Sequence, residues 1–360
     1  LRTLSALITV LLLATPASAE ILVGIAGPMT GQNAVFGKQM QVGAEAAIAS
    51  VNAAGGINGE QLRAIVADDG CDTRRAFDVS QDLARQDVRV VIGHFCSGAT
   101  IAATKTYLEA GILAITPSAT QPVVTEQQAW NVVRLTSRDD AQADAATRRI
   151  LLDDPQAKIA IVSDGQPMLR GLVQRLKGQL SSGSEHTIKS GATDFEQVIV
   201  AIKAEASTVV YLALAASDAG NFAKVLREAN VAASFYGPDL LLNDVYWDRA
   251  KEAADGTRVT FAVDPVSLAN RFRVAQLLPA AESVEGATLP AYAAVEAFVT
   301  AARATDVNNG RAMADWLKGG SAVNTILGEV RFDARGDLAE QRFTWYRWSG
   351  GQFAEDPQPR

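Results

Sequence analysis

The sequence predicts an α/β protein built from two doubly wound units with a cleft between them. Three observations carry that expectation. The chain has 360 residues, more than one ordinary core accommodates, so two domains of somewhat under 200 residues each are expected. Apolar residues make up 48% and charged residues 20%, the balance of a globular chain and not of a disordered or fibrous one. Short apolar runs alternate with amphipathic stretches of helical length, and the alternation starts again near the middle of the chain.

The first residues stand outside that pattern. LRTLSALITVLLLATPASAE carries Arg2, an apolar run from Leu4 to Ala14, a break at Pro16 and the small residues Ala17, Ser18 and Ala19. This is the organisation of a secretory signal peptide, residues 1–19, cleaved after Ala19 to leave an exported chain that starts at Glu20. No later stretch reaches the roughly 20 apolar residues of a spanning helix. The formal charge of −7 gives no electrostatic reason to expect a nucleic acid or an anionic membrane as partner.

From Glu20 onward each element follows from its local pattern. ILVGIAGPM reads as a short buried strand. GKQMQVGAEAAIASVNAAGG reads as a helix, with apolar residues recurring at three and four and a glycine pair to end it. QLRAIVADDG is strand, RRAFDVSQDLARQ helix, VRVVIGHF strand, SGATIAATKTYLEAG helix and ILAITPS strand. A second series follows: KIAIVSD, a helix from about Met168 to Leu180, SGATDFEQVIVAIKAE with a helix inside it, TVVYLAL, AGNFAKVLREAN and ASFYGPDLL. Strands that alternate with helices of this length pair in parallel through helical crossovers.

In such sheets ligands bind beyond the carboxyl ends of the strands, where helix N-termini present free N–H groups. Ser97 directly follows its strand and is expected to cap a helix, as are Ser118 and Thr120 after ILAIT. Two adjacent strand ends therefore offer hydroxyls and backbone donors suited to a small carboxylate. Helix capping alone is the plainer account of the same residues.

Cys71 and Cys96 are the two cysteines of the chain. Export to an oxidising compartment favours their pairing, with two free buried thiols as the alternative. Closing that loop restricts the unfolded chain by about 3 to 4 kcal/mol. The two histidines, His94 and His186, and the lack of CxxC or HExxH spacing speak against a metal site. There is no GxGxxG after the first strand, no GxxxxGK[ST] and no GxSxG, so no enzymatic activity is expected. His94 and Cys96, two apart, are not placed as a catalytic pair, and His94 reads as a satisfied residue at the end of a sheet.

Specific segments carry a resemblance. GPMTGQNAVFGKQMQVGAEAAIASVNAAGGINGEQL, DDGCDTRRA, VIGHFCSGAT, GILAITPSATQP and VVRLTSRDD resemble the branched-chain-amino-acid-binding proteins of bacterial ABC importers, which are type I periplasmic solute-binding proteins. The likeness runs, with decaying strength, from about Ile21 to LGEVRFDARGDL, and DDGCD with HFCS is its most specific part.

The resemblance implies two Rossmann-like lobes joined by three hinge crossings, near residues 137–139, 262–264 and 327–329. Lobe 1 is then 20–138 plus 264–327, and lobe 2 is 139–263 plus 328–360. It implies that a ligand α-carboxylate sits against Ser97 and the segment Ser118, Ala119 and Thr120, through hydroxyls and backbone groups. Phe36 falls where the family has an aromatic wall, and Asp239 where a lobe 2 carboxylate receives the α-ammonium. A zwitterion leaving water needs both charges hydrogen-bonded, which gives this pairing its logic.

Three segments depart from the family pattern. Met168 and Leu169 stand where the family has tyrosine and glycine, and alanine replaces an aromatic near Ala215 and at Ala287. The departures leave three readings: a larger amino acid, a small carboxylate or amide without an ammonium, or a cleft that no longer binds usefully and serves as a docking surface; a ligand-sensing co-receptor acting through a separate membrane partner is a further alternative. Arg170 is available for a second ligand carboxylate, although an arginine at a helix start is more commonly solvated. The resemblance further implies a periplasmic monomer without cofactor or metal, which closes over its ligand and delivers it to a membrane permease.

Overall fold

The computed structural model describes residues 20–180, 183–269, 271–277 and 284–356. The expected leader, 1–19, lies outside the described residues. Strands β1 (Ile21–Gly27), β2 (Leu62–Asp68), β3 (Val90–Gly93), β4 (Leu113–Thr116) and β5 (Val132–Arg134) form a parallel sheet in the order β2-β1-β3-β4-β5. Helices α1 (Ala34–Ala53), α2 (Thr73–Arg85), α3 (Ser97–Glu109) and the short α4 (Val123–Glu126) connect them. The inner strands β1, β3 and β4 are buried along both faces because helices cover both faces, whereas the edge strand β2 carries an exposed Arg63 and is only partly buried.

The second series builds the other lobe. Its strands β6 (Ile159–Ser163), β7 (Gly183–Thr187), β8 (Val209–Ala213), β9 (Ser234–Gly237) and β10 (Arg258–Ala262) are parallel, with helices α5 (Gln142–Asp153), α6 (Pro167–Gln179), α7 (Glu196–Ala204), α8 (Ala216–Glu228) and α9 (Asp244–Ala250) packed on them. The chain then returns to the first lobe through α10 (Pro265–Leu268), α11 (Arg271–Leu277), α12 (Thr288–Ala304) and α13 (Gly310–Lys318), followed by the hairpin β11 (Val323–Thr325) and β12 (Gly328–Val330). Two last strands complete it, β13 (Phe343–Ser349) antiparallel to β10 and β14 (Gln352–Glu355) antiparallel to β13, so the second sheet runs β14-β13-β10-β9-β8-β6-β7.

Each sheet carries a core on both faces. In the first lobe Val23, Ile25, Val90 and Ile92 pack against α1, α12 and α13, while Val91, Ala103 and Leu83 fill the face under α2 and α3. Helix α12 is buried along nearly its whole length, and α1 meets it closely at Gly43, where an added Cβ would fall 1.9 Å from the Thr288 carbonyl oxygen.

The third crossing lies later than expected. Residues 328–338 were expected in lobe 2, but β12 pairs with β11, and Val330, Phe332 and Leu338 bury in the core of the first lobe. Lobe 2 resumes only at β13, so the chain crosses through 339–342. The three crossings are bonded to one another there. Arg138 N–H donates to Gln341 Oε1 at 2.8 Å, Arg342 N–H to Ser137 Oγ at 2.9 Å and Val263 N–H to the Arg342 carbonyl at 3.3 Å.

Candidate functional site: a cavity between the two lobes

The end of β3 is the firmest part of the site. His94 is fully buried, its Nδ1 2.6 Å from Asp69 Oδ2 and its Nε2 2.9 Å from the Tyr107 hydroxyl, so it is the satisfied residue that its position suggests. Cys71 and Cys96 are joined in a disulfide with their Cα atoms 5.4 Å apart, and neither is a free thiol. Thr116 at the end of β4 donates its hydroxyl to the His94 carbonyl at 2.8 Å, and Ser118 donates to the Phe95 carbonyl at 2.9 Å. The loops after β3 and β4 are thereby locked together.

Ser97 opens α3 but does not cap it. Cys96 holds the N-cap position, and the first helical N–H to find an acceptor within the helix is that of Thr100, on the Cys96 carbonyl at 3.0 Å. The preceding N–H groups of Ser97, Gly98 and Ala99 have no acceptor in the helix, as at any helix start. Ser97 Oγ accepts from the Gln121 N–H at 3.3 Å and keeps its own proton to donate. Ser118 and Thr120 likewise cap nothing, because α4 begins only at Val123, after Pro122.

Asp239 opens a 3-10 turn after β9 in the second lobe. Its Oδ1 accepts from Gln142 Nε2 at 3.2 Å and from the Leu240 N–H at 3.0 Å, and its own N–H donates to Gln142 Oε1 at 3.1 Å. Thr260 fixes Gln142 in turn, with its hydroxyl 2.6 Å from the same Oε1. Burial holds the Asp239 carboxyl above the ordinary carboxylate range, against the stabilising bond from Gln142. Asp139, at the first crossing, is raised to about 6, chiefly by burial and further by the Asp239 charge, with the Thr120 hydroxyl and Arg134 opposing. Its N–H donates to the Thr120 carbonyl at 3.0 Å.

These groups surround one cavity of about 220 Å³. Its polar lining is Ser97, Thr120, Gln121, Asp139, Gln142 and Asp239; its apolar lining is Met168, Leu169, Leu172 and Leu240. A larger chamber of about 760 Å³ adjoins it and shares Gln121, Asp139, Met168 and Leu172. Four expected residues thus meet: Ser97 and Thr120 from the first lobe, Met168 and Asp239 from the second.

Five others do not line the cavity. Ala119 is 1% exposed, its N–H bonded to Thr116 Oγ1 at 3.0 Å and its carbonyl to Arg134 Nη1 at 2.9 Å, so its backbone is already committed. Ser118 is spent on Phe95, and Ala215 bonds its N–H to Asp164 at the start of α8. Phe36 stacks on Phe95, ring centroids 4.8 Å apart and planes within 9°, and forms an aromatic pair beside the loop that leads to Ser97. Ala287 is buried in the core of the first lobe, with its N–H on Gln39.

Sequence reasoning passed over Asp139, Gln142 and Gln121. The run SRDDAQ places two acids and an amide directly at the first crossing, and that concentration of polar groups at a lobe junction was the available signal. Among the described residues no group of three or more His, Cys, Asp and Glu side chains is placed to hold a metal ion, and no helix is long and apolar enough to cross a membrane.

Residues 20–352 match a family described as periplasmic binding protein. A Leu/Ile/Val-binding protein homolog 1 of Brucella melitensis is 37% identical over 357 residues, covering 96% of this chain and 95% of its own. An amino acid binding protein of Pseudomonas aeruginosa is 34% identical, with the same two coverages. Among solved structures, a putative branched-chain amino acid ABC transporter from Rhodospirillum rubrum superposes with a TM-score of 0.74 at 23% identity, over 94% of this chain and all of that one. At that identity the likeness establishes the fold.

Proposed function

This chain belongs to the periplasmic binding protein family, a family of binding proteins and not of enzymes, and from that premise we propose that it captures an amino acid between its lobes for an ABC importer. The observation that carries the reading is the opposition, across one cavity, of Ser97 at the start of α3 and Asp239 on the other lobe. The ligand carboxylate takes the Ser97 hydroxyl and the free N–H groups of the helix start, where the helix dipole favours negative charge. The ammonium takes Asp239, whose carboxylate has no cationic partner in the cavity, and the aliphatic side chain lies against Leu169, Leu172 and Leu240.

Because the two charges are received by different lobes, the closed form gains contacts that the open form lacks, and ligand shifts the population toward closure about the bonded crossings. In this reading the protein works in the periplasm as a monomer and hands its ligand to a membrane permease. A ligand without an ammonium would leave Asp239 buried and unpaired, at a cost.

Calorimetric titration of the unfolded and refolded, ligand-free protein with amino acids tests the assignment. Ser97→Ala and Asp239→Asn are each expected to weaken binding by about 10- to 100-fold, the worth of a hydrogen bond to a charged group. Affinity unchanged in both variants would place the ligand elsewhere.

A further inference from the structure

Asp139 is the one ionisable side chain lining the cavity for which capture of a neutral aliphatic amino acid has no use. The side chains around the smaller cavity include two carboxylates, Asp139 and Asp239, and neither lysine nor arginine. Arg134, the guanidinium whose charge acts on Asp139, is buried and already committed to Asp337, Thr125 and the carbonyls of Ala119 and Gln121. Asp139 also stands on the wall that the smaller cavity shares with the larger chamber, together with Met168 and Leu172. A ligand side chain that leaves the first space for the second passes these three residues.

We propose that Asp139 is a specificity-determining residue that receives a second, side-chain cation of the ligand, so that the site prefers amino acids with a basic side chain over neutral aliphatic ones. The inference rests on the amino-acid reading of the cavity given above. An aliphatic stem ending in an ammonium or guanidinium fits the path: methylenes against Met168 and Leu172, the charged end on Asp139. Charge balance points the same way. A zwitterion brings no net charge to two carboxylates, whereas a basic amino acid brings one positive charge to a place where burial and the neighbouring acid penalise Asp139 as an anion. Arg170 on the wall of the larger chamber is exposed, so solvent screens its opposing charge.

The test is calorimetric titration of the refolded full chain and its Asp139→Asn and Asp139→Glu variants with arginine, lysine, leucine and glutamate at neutral pH. Arginine or lysine is expected to bind about tenfold or more tightly than leucine. Asp139→Asn should abolish that ratio while leucine binding persists, and Asp139→Glu, which keeps the charge, should retain it. Leucine binding as tightly as either basic amino acid would overturn the proposal, as would a basic preference that survives Asp139→Asn, or a preference for glutamate. If none of the four amino acids binds, the amino-acid reading itself falls, and this inference with it.

Discussion

Asp139 shows what a single side chain contributes when burial works against it. The folded protein holds its proton more tightly than the unfolded chain does, since burial and the Asp239 charge raise it to about 6 from an ordinary aspartate. The stability from that proton is fully present below the unfolded value and is lost as pH rises through about 6. Asp139→Asn is therefore expected to raise the melting temperature of the ligand-free protein at neutral pH and to flatten its pH dependence between about 4 and 6. Thermal melts across that range decide it, and an Asn variant less stable at every pH would show that the carboxylate is structurally satisfied. Ser97, Thr120 and Asp239 could be picked out as candidates because the segments around them resemble a known family, and the three line one cavity. Asp139 was not, since nothing in RDDAQ distinguishes a cavity acid from the neighbouring Asp140, which is bonded to Arg138.

At the scale of elements, α3 and the disulfide act together. The bond from Cys71 ties the loop after β2 to Cys96, the residue before Ser97, and so fixes where the helix start faces the cavity. Replacing both cysteines by serine is expected to cost about 3 to 4 kcal/mol in urea unfolding, the entropy of closing a 25-residue loop, and to weaken amino-acid binding in step. Unchanged affinity in the serine variant would show that the His94 and Thr116 bonds hold Ser97 without it. Helices with an apolar stripe were legible in the sequence, as were strands buried on both faces. The polar strand β7, GSEHT, was not, because it lies at the sheet edge beside β6 alone and alternates between half-buried and exposed positions. The capping roles assigned to Ser118 and Thr120 failed because α4 starts beyond Pro122, a boundary that their hydroxyls do not set.

Across the whole molecule, the lobes are joined by a buried charge network. Arg138, at the first crossing, holds Asp337 at 2.9 Å and Asp140 at 2.8 Å, while Asp337 also binds Arg134 at 2.6 Å. Asp337 is nearly inaccessible, and although burial opposes its charge, Arg134 and Arg138 outweigh that and hold its carboxyl below the ordinary range. Arg138→Ala would leave Asp337 to Arg134 and Asp140 to Arg175, and is expected to lower stability by about 1.5 to 3 kcal/mol, the worth of a hydrogen bond to a charged group. A urea midpoint within error of the parent would mean that water replaces the guanidinium there.

The local pattern of the chain was enough to determine the class of fold, two parallel α/β units, because strand and helix periodicity are set by which neighbours along the backbone face the core. The satisfied state of His94 and the Cys71–Cys96 bond were also foreseen. Only the tertiary structure decided that Asp139 meets Asp239, that the Ala119 backbone is already bonded, and that residues 328–338 belong to the first lobe. The first joins residues about a hundred positions apart and the Ala119–Arg134 bond joins residues 15 apart in separate elements, beyond the reach of local periodicity, and burial, not sequence, then sets the charge that each acid carries.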